Sequence, residues 1–183
     1  LGHGHNFEAS TYGSAGIEGN IPIDISAFVD PIAKGRTRGQ GLAIYKVHCQ
    51  VAGDNVGNPQ ISTDAGQVGM ALSVKPFTTT GDNSTALTED DMSADNDLVV
   101  WGGFYTAPAT RVPGQGGGSN CDVWLEPSIE VPYVAVRDTI FSCLETTVGL
   151  STNDDLFVNY RMECAMISLD SATLNQLLRT QTA

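Results

Sequence analysis

Apolar and polar residues alternate along several segments of this chain, as they do in a β-strand that buries one face. Between positions 67 and 75, every second residue is apolar: Val68, Met70, Leu72 and Val74. A longer series occupies one parity between positions 155 and 169: Leu156, Val158, Tyr160, Met162, Cys164 and Met166. Because successive strand side chains point to opposite faces, each segment predicts a strand with one face in a core.

Two more segments near the middle of the chain have strand character. Positions 41–51 place alternate apolar residues on one predicted face: Tyr45, Val47, Cys49 and Val51. Positions 98–105 are apolar at almost every residue. A segment with apolar residues on both faces predicts a strand that is covered on both faces.

The second half of the chain adds strands separated by turn residues. Positions 123–131 and 133–148 predict two strands, divided at Pro132 if not already at Pro127. Asn153-Asp154 then predicts a tight hairpin turn that leads into the last strand.

The C-terminus is the one segment with helical spacing. Leu174, Leu177 and Leu178 recur at i, i+3 and i+4, which predicts an apolar stripe on a short helix. Asp170 stands just before this stripe, and its carboxylate is a preferred N-cap acceptor.

Seven or eight strands with long polar loops and one terminal helix indicate an all-β fold, and we expect an eight-stranded jelly-roll sandwich. An immunoglobulin-like sandwich is the alternative, but the spacing of Cys and Trp does not match it. Residues 1–20 are rich in Gly and polar residues, so they predict an extended N-terminal arm. Residues 21–183 then form a single domain. The chain begins at Leu1, which predicts a processed or truncated product.

The charge balance narrows the classes of partner. The chain carries 21 acidic and 9 basic residues, for a net charge of −12, while charged residues make up only 16% of it. An average domain has roughly 25% charged residues, so the imbalance reflects scarce bases as much as added acids. Such a surface repels nucleic acid and suits a saline, halophilic setting, although a mildly acidic mesophilic protein fits it nearly as well. No apolar run approaches the roughly 20 residues that span a bilayer.

The four cysteines stand far apart, at Cys49, Cys121, Cys143 and Cys164. Without a CxxC pair they do not predict a zinc site, and buried thiols are favoured over two disulfides. If positions 153 and 154 form a two-residue turn, Cys143 lies directly opposite Cys164. That register brings the two thiols close enough for a disulfide, although it does not require one.

No catalytic constellation accompanies the strands. His3 and His5, with His48, could bind a transition metal, but solvated side chains are the favoured interpretation. A triad of His48, Ser10 or Ser119, and Asp122 lacks the Gly-x-Ser-x-Gly elbow. We therefore expect neither an enzyme nor a cofactor.

Three polar loops carry weak candidate sites. The acidic residues of one loop could supply oxygen ligands to calcium: Asp90, Asp91, Asp95 and Asp97. Their spacing lacks the Gly and the distal Glu of an EF-hand, so a solvated loop is favoured. Asn83 begins an Asn-Ser-Thr glycosylation acceptor. The Gly-rich run at positions 114–118 lacks the Lys of a phosphate loop.

The aromatic residues allow two interpretations. Trp101, Phe104, Tyr105 and Trp124 could form a platform on which a sugar stacks. Because they stand among Val and Leu, packing in the core is the favoured prediction.

In length, acidic pI, strand succession and the short terminal helix, the chain resembles the small major capsid proteins of membrane-containing icosahedral viruses of haloarchaea, the sphaerolipovirus group. The resemblance spans the whole chain and involves no diagnostic motif. It implies upright single jelly rolls that self-assemble with a second coat protein into a shell over an internal membrane, without direct contact to nucleic acid. A location in the virion follows from it.

A secreted β-sandwich that forms extracellular filaments or binds carbohydrate is the alternative hypothesis. A β-sandwich hydrolase is a third, but it requires a convergent site that the sequence does not display.

Overall fold

The computed structural model describes residues 3–12, 18–30, 38–53, 66–76, 95–107, 120–146 and 156–182. These residues contain nine strands and one helix: β1 (His3–Tyr12), β2 (Glu18–Asp24), β3 (Arg38–Gly53), β4 (Gly66–Ser73), β5 (Val99–Ala107), β6 (Asn120–Leu125), β7 (Tyr133–Ala135), β8 (Thr139–Thr146), β9 (Leu156–Asp170) and α1 (Ser171–Thr182). Nine strands exceed the seven or eight expected, because residues 3–12 form a strand and positions 123–148 contain parts of three strands rather than two.

The strands form two antiparallel sheets. The four-stranded sheet has the order β1-β9-β3-β7, and the five-stranded sheet has the order β2-β8-β4-β5-β6. The prediction of an all-β sandwich with a short C-terminal helix is therefore confirmed.

The core lies between the two sheets and is built from the predicted apolar positions. The four-stranded sheet contributes Ile44, Val47, Val158, Tyr160 and Met162, and the five-stranded sheet contributes Ile23, Met70, Leu72, Trp101, Tyr105 and Ile140. Trp101 meets Tyr160 edge-on, with ring centroids 5.7 Å apart. Such a pair adds about 0.5–1.5 kcal/mol to the stability gained by burial alone. The prediction that Trp101 and Tyr105 pack in the core is confirmed.

A β-bulge in β3 changes which residues face this core. Ile44 pairs with Cys164 and Lys46 pairs with Glu163, so Tyr45 is the extra residue. Ile44 and Val47 consequently both lie in the core, while Tyr45 is only half-buried. The prediction that Tyr45 and Val47 lie on the same face is wrong, because an inserted residue reverses the alternation.

The N-terminal segment differs from the predicted arm. Residues 3–12 form β1, which runs antiparallel to β9 at the edge of the four-stranded sheet, with His3 paired to Cys164 and Phe7 to Tyr160. An edge strand is held by backbone hydrogen bonds on one side, so its sequence need not show strong apolar alternation. The assignment of residues 21–183 to one domain stays a prediction.

The predicted register between Cys143 and Cys164 is wrong. Cys143 lies on β8 and pairs with Ala71 and Asn20, whereas Cys164 lies on β9 and pairs with Ile44. Because β8 and β9 belong to different sheets, they do not form a hairpin. Neither cysteine is in a disulfide, and the predicted turn at positions 153–154 lies outside the described residues.

The helix α1 begins as the sequence predicts. One carboxylate oxygen of Asp170 accepts hydrogen bonds from the N–H groups of Ala172 and Thr173, both at 2.9 Å. Leu174 is buried against Val136 and Leu169. Gly39 lies beneath Leu174, where a β-carbon would overlap the leucine side chain. A residue without a side chain therefore lets the helix approach β3 closely.

Gln181 joins the end of α1 to the edge strand β7. Its side-chain amide donates to the carbonyl oxygen of Val134 at 2.7 Å and accepts from the N–H of Val136 at 3.0 Å. Gln181 is only 3% exposed. It thus supplies the donor and acceptor that a neighbouring strand would supply to this sheet edge.

Candidate functional site

The predicted triad is not assembled. His48 lies on β3, and its Nε2 is 2.8 Å from the Oε1 of Glu163 on β9, with both side chains about half exposed. The hydrogen bond from His48 holds the pKa of Glu163 below its usual value. Asp122 lies on β6 in the other sheet, Ser10 lies on β1, and Ser119 is outside the described residues. The arrangement at His48 is therefore a solvent-exposed hydrogen bond between His48 and Glu163, without the predicted Asp122 beside it.

The three histidines are not brought onto one pair of neighbouring strands. His5 pairs with Met162 and His48 pairs with Arg161, so β9 separates the two histidine-bearing strands. Two strand spacings amount to about 10 Å between backbones. Across the described residues, no group of three His, Cys, Asp or Glu side chains is positioned to hold a metal ion.

The described part of the acidic loop is a turn that is anchored to β7. The side-chain oxygen of Asn96 accepts from the N–H of Leu98 at 3.0 Å, and the Tyr133 hydroxyl donates to the carbonyl oxygen of Asp97 at 3.0 Å. Burial raises the pKa of Tyr133, and the charge of Asp97 raises it further. This geometry orders the backbone of the turn. The other predicted sites in polar loops, Asp90, Asp91, Asn83 and positions 114–118, lie outside the described residues.

The four aromatic residues divide between two faces of the five-stranded sheet. Trp101 and Tyr105 face the core, while Phe104 and Trp124 are half-buried on the opposite face, with ring centroids 6.4 Å apart. Trp124 lies directly over Gly102, where a β-carbon would overlap the indole. The four rings therefore do not form one platform.

An exposed apolar turn between β6 and β7 is the most conspicuous surface feature of the described residues. Ile129 is 84% exposed and Val131 is 74% exposed. The N–H of Ser128 donates to the carbonyl oxygen of Val131, and the N–H of Val131 donates to the Ser128 hydroxyl oxygen, both at 3.1 Å. Residues 128–131, named here the 128–131 tip, thus form a closed turn that presents two aliphatic side chains to solvent.

A second surface feature, the β3–β9 cleft, opens where β3 begins and β9 ends. It has a volume of about 510 Å³, and its lining includes Asp30, Arg38, Gln40, Met166, Ile167 and Ser168. Met166 is 58% exposed, and its sulfur accepts from the side-chain amide of Gln40 at 2.8 Å. The same amide donates to the carbonyl oxygen of Phe28 at 3.3 Å. Gln40 therefore positions both Met166 and the chain that follows β2.

Sequence reasoning missed both features. Positions 123–131 were expected to form a strand unless it ended earlier at Pro127, and β6 ends at Leu125, so the earlier division is the one observed. The signal was present in Pro127 and Pro132, which bracket a short stretch with Ser at its start and so favour a turn. Nothing local predicts the cleft, because β3 and β9 meet across more than a hundred residues of chain.

Compared with protein-family models, with curated proteins and with solved structures, the chain matches none of them. Within the part of the chain that the structure describes, no helix is both long enough and apolar enough to cross a membrane.

Proposed function

We propose that this chain is a jelly-roll coat protein, a structural subunit that assembles into a closed shell. The strand order carries the proposal. With β6 set aside, the other eight strands taken in chain order give sheets 1-8-3-6 and 2-7-4-5. Two interlocked Greek keys produce this order, and jelly rolls of this kind are common in viral capsids.

The filled interior supports a structural role over ligand binding within the sandwich. A binding site between the sheets requires a cavity with a few polar groups. Here Trp101, Tyr160, Met162 and Leu72 are fully buried in the same apolar core. Because a fold alone does not define a function, the surface must carry the activity, and the exposed 128–131 tip suits contact with a neighbouring subunit.

The charge of the chain supports a shell that forms in salt and does not hold nucleic acid directly. Subunits of net charge −12 repel one another at low ionic strength. The Debye length falls from about 30 Å at 0.01 M salt to about 3 Å at 1 M, so salt removes most of this repulsion. We extend the proposal to a virion in a saline setting, where a second coat protein completes the shell over an internal membrane.

Electron microscopy of the purified protein across a salt series, with light scattering in parallel, tests the proposal. We expect closed shells or regular capsomers that grow in number as salt rises from about 0.01 M to about 1 M. Dispersed monomers at every salt and protein concentration would refute it. Fibres instead of shells would favour the extracellular filament, which could grow by strand addition at the edge strands β1, β2 or β6.

A further inference from the structure

The 128–131 tip and the β3–β9 cleft are separate surfaces of one copy. The tip precedes Tyr133, which pairs with Ile44, whereas the cleft includes Gln40 on the same strand. Ile44 lies four positions along β3 from Gln40, a distance of about 13 Å. The tip enters the sheet at the β7 edge, whereas the cleft lies at the start of β3, between Asp30 on one side of Gln40 and the end of β9 on the other. Each copy therefore offers both surfaces to neighbours.

The tip is prepared for docking because its shape is already fixed. The two hydrogen bonds between Ser128 and Val131 close the turn, and buried Pro127 precedes it. A turn that is ordered before binding loses little conformational freedom when it docks. Ile129 and Val131 then remove apolar surface from water without first having to be arranged.

The β3–β9 cleft complements the tip in both polarity and charge. Its apolar lining comes from Met166 and Ile167, and its volume of about 510 Å³ lies in the range that accepts small apolar groups. Exposed Arg38 lines the same cleft. Glu130 stands between the two apolar residues of the tip and has the opposite charge to Arg38. The Glu130 of a second copy can therefore form a salt bridge with Arg38.

Charge also distinguishes this cleft from a smaller one beside the tip. The smaller cleft, of about 310 Å³, includes Asp97 and Glu126 and no basic residue among its described lining. A partner's tip that entered it would bring Glu130 against two acids. In the β3–β9 cleft, Arg38 and Asp30 balance each other. Like charges at a contact are unfavourable, so the β3–β9 cleft is the better receptor.

We propose that the 128–131 tip of one copy docks into the β3–β9 cleft of a second copy, with Glu130 facing Arg38. The inference rests on the proposed function, because it supplies one of the contacts through which that assembly forms. Since two different surfaces meet, the contact is head-to-tail, and repeating it produces a ring or an open chain of subunits.

Cross-linking between two single-cysteine additions tests the pairing. Val131→Cys and Ser168→Cys are conservative in size, and they mark the tip and the cleft respectively. After treatment with a short bismaleimide, we expect a covalent dimer when the two variants are mixed, and none when either is treated alone. The original protein, treated with the same reagent, controls for cross-links through its native cysteines, of which Cys143 and Cys164 are buried.

The outcomes separate this inference from the proposed function. If shells form but the two variants do not cross-link, the docking is overturned while the proposed function as a coat protein stands. A dimer from Val131→Cys alone, equal to that of the mixture, would indicate a tip-to-tip contact and also overturn it. Absence of any assembly would defeat the proposed function, and the docking with it.

Substitutions that change the chemistry of the contact give a second test. Ile129→Ser should weaken subunit association about tenfold or more, as loss of a central apolar anchor does. Val123→Ser, at another exposed aliphatic residue outside the tip, is the matched control and should change it less than about twofold. Equal effects of the two variants would overturn the docking.

The charge pair gives the third test. Glu130→Lys and Arg38→Glu should each weaken association about three- to fivefold, as an exposed pair allows. The double variant restores the opposite charges in reversed order and should return association to within about twofold of the original. If the double variant is as weak as the product of the single effects, Glu130 and Arg38 do not meet.

Discussion

Replacing Gln181 by Ala tests how far the sheet edge depends on a single side chain. In the structure the Gln181 amide makes two hydrogen bonds to the backbone in and just after β7, to the carbonyl of Val134 and to the N–H of Val136. The substitution removes both partners and leaves the helix otherwise attached. Arg137 still donates to the backbone carbonyl of residue 181, because that carbonyl survives the change.

The expected loss follows from the burial of these groups. A buried polar group without a partner costs about 1–3 kcal/mol. Two such groups are orphaned, and water that enters the vacated space recovers part of the loss, so we expect the free energy of unfolding to fall by about 2–4 kcal/mol. Domains of this kind are stable by about 5–15 kcal/mol, so the effect is a large share of the total.

Urea denaturation followed by circular dichroism measures the change. Gln176→Ala is the matched control, because it makes the same substitution on the same helix at an exposed position. That variant should change the free energy of unfolding by less than about 0.5 kcal/mol. If both variants lose the same amount, the reasoning about the sheet edge is refuted.

A Gln181→Glu variant adds a dependence on pH. The new carboxylate can still accept from the N–H of Val136, but it cannot donate to the carbonyl of Val134. Only the protonated acid can donate, so the fold raises the pKa of this carboxyl above the usual value of about 4.3. The variant should therefore approach the stability of the original protein as pH falls, and lose stability as pH rises through the raised pKa.

Three further predictions concern single side chains. Gly102→Ala should lower the free energy of unfolding by about 1–3 kcal/mol, because the added methyl overlaps the indole of Trp124. On urea denaturation, the same substitution should lower the free energy of unfolding less when Trp124 has been replaced by Ala. Asp170→Asn should lower the melting temperature at neutral pH, and the difference from the original protein should shrink below about pH 4. Hydrogen bonds from Thr173 lower the pKa of Asp170, so the stability that the ionised cap contributes is lost as pH falls. A difference that stays constant with pH would count against the cap. Tyr105→Phe should leave the free energy of unfolding unchanged or raise it by up to about 1 kcal/mol, because the buried hydroxyl has no hydrogen-bond partner among the described residues. A clear loss of stability on urea denaturation would show that the hydroxyl is hydrogen-bonded.

The sequence predicted the elements whose signals are local. Alternation located β4 and β9 to within about two residues, and the N-cap at Asp170 with the Leu174 stripe located α1. Alternation did not predict the bulge at Tyr45, because the extra residue depends on how β3 pairs with β9. It also did not predict β1, whose place is fixed by backbone hydrogen bonds rather than by apolar periodicity.

The sequence did not predict which strands pair with each other, and this explains the wrong register between the two cysteines. Neighbours in sequence predict a hairpin, so Cys143 and Cys164 were expected to face each other. In the structure, β8 and β9 each pair with strands from earlier in the chain. The β3–β9 cleft was missed for the same reason, because it exists only once β3 and β9 are neighbours.

The central place of β9 in its sheet has a consequence for synthesis. β9 is the last strand in the described part of the chain, yet it lies between β1 and β3 and is the partner of both. Among the described strands, β1 has no partner until β9 leaves the ribosome, and β3 pairs earlier with β7 alone, over residues 42–44, so the four-stranded sheet cannot form progressively from its first strand. Pairings this distant along the chain fold slowly. In the nascent protein, β1 and the β9-facing edge of β3 therefore stay unpaired until β9 has been synthesised.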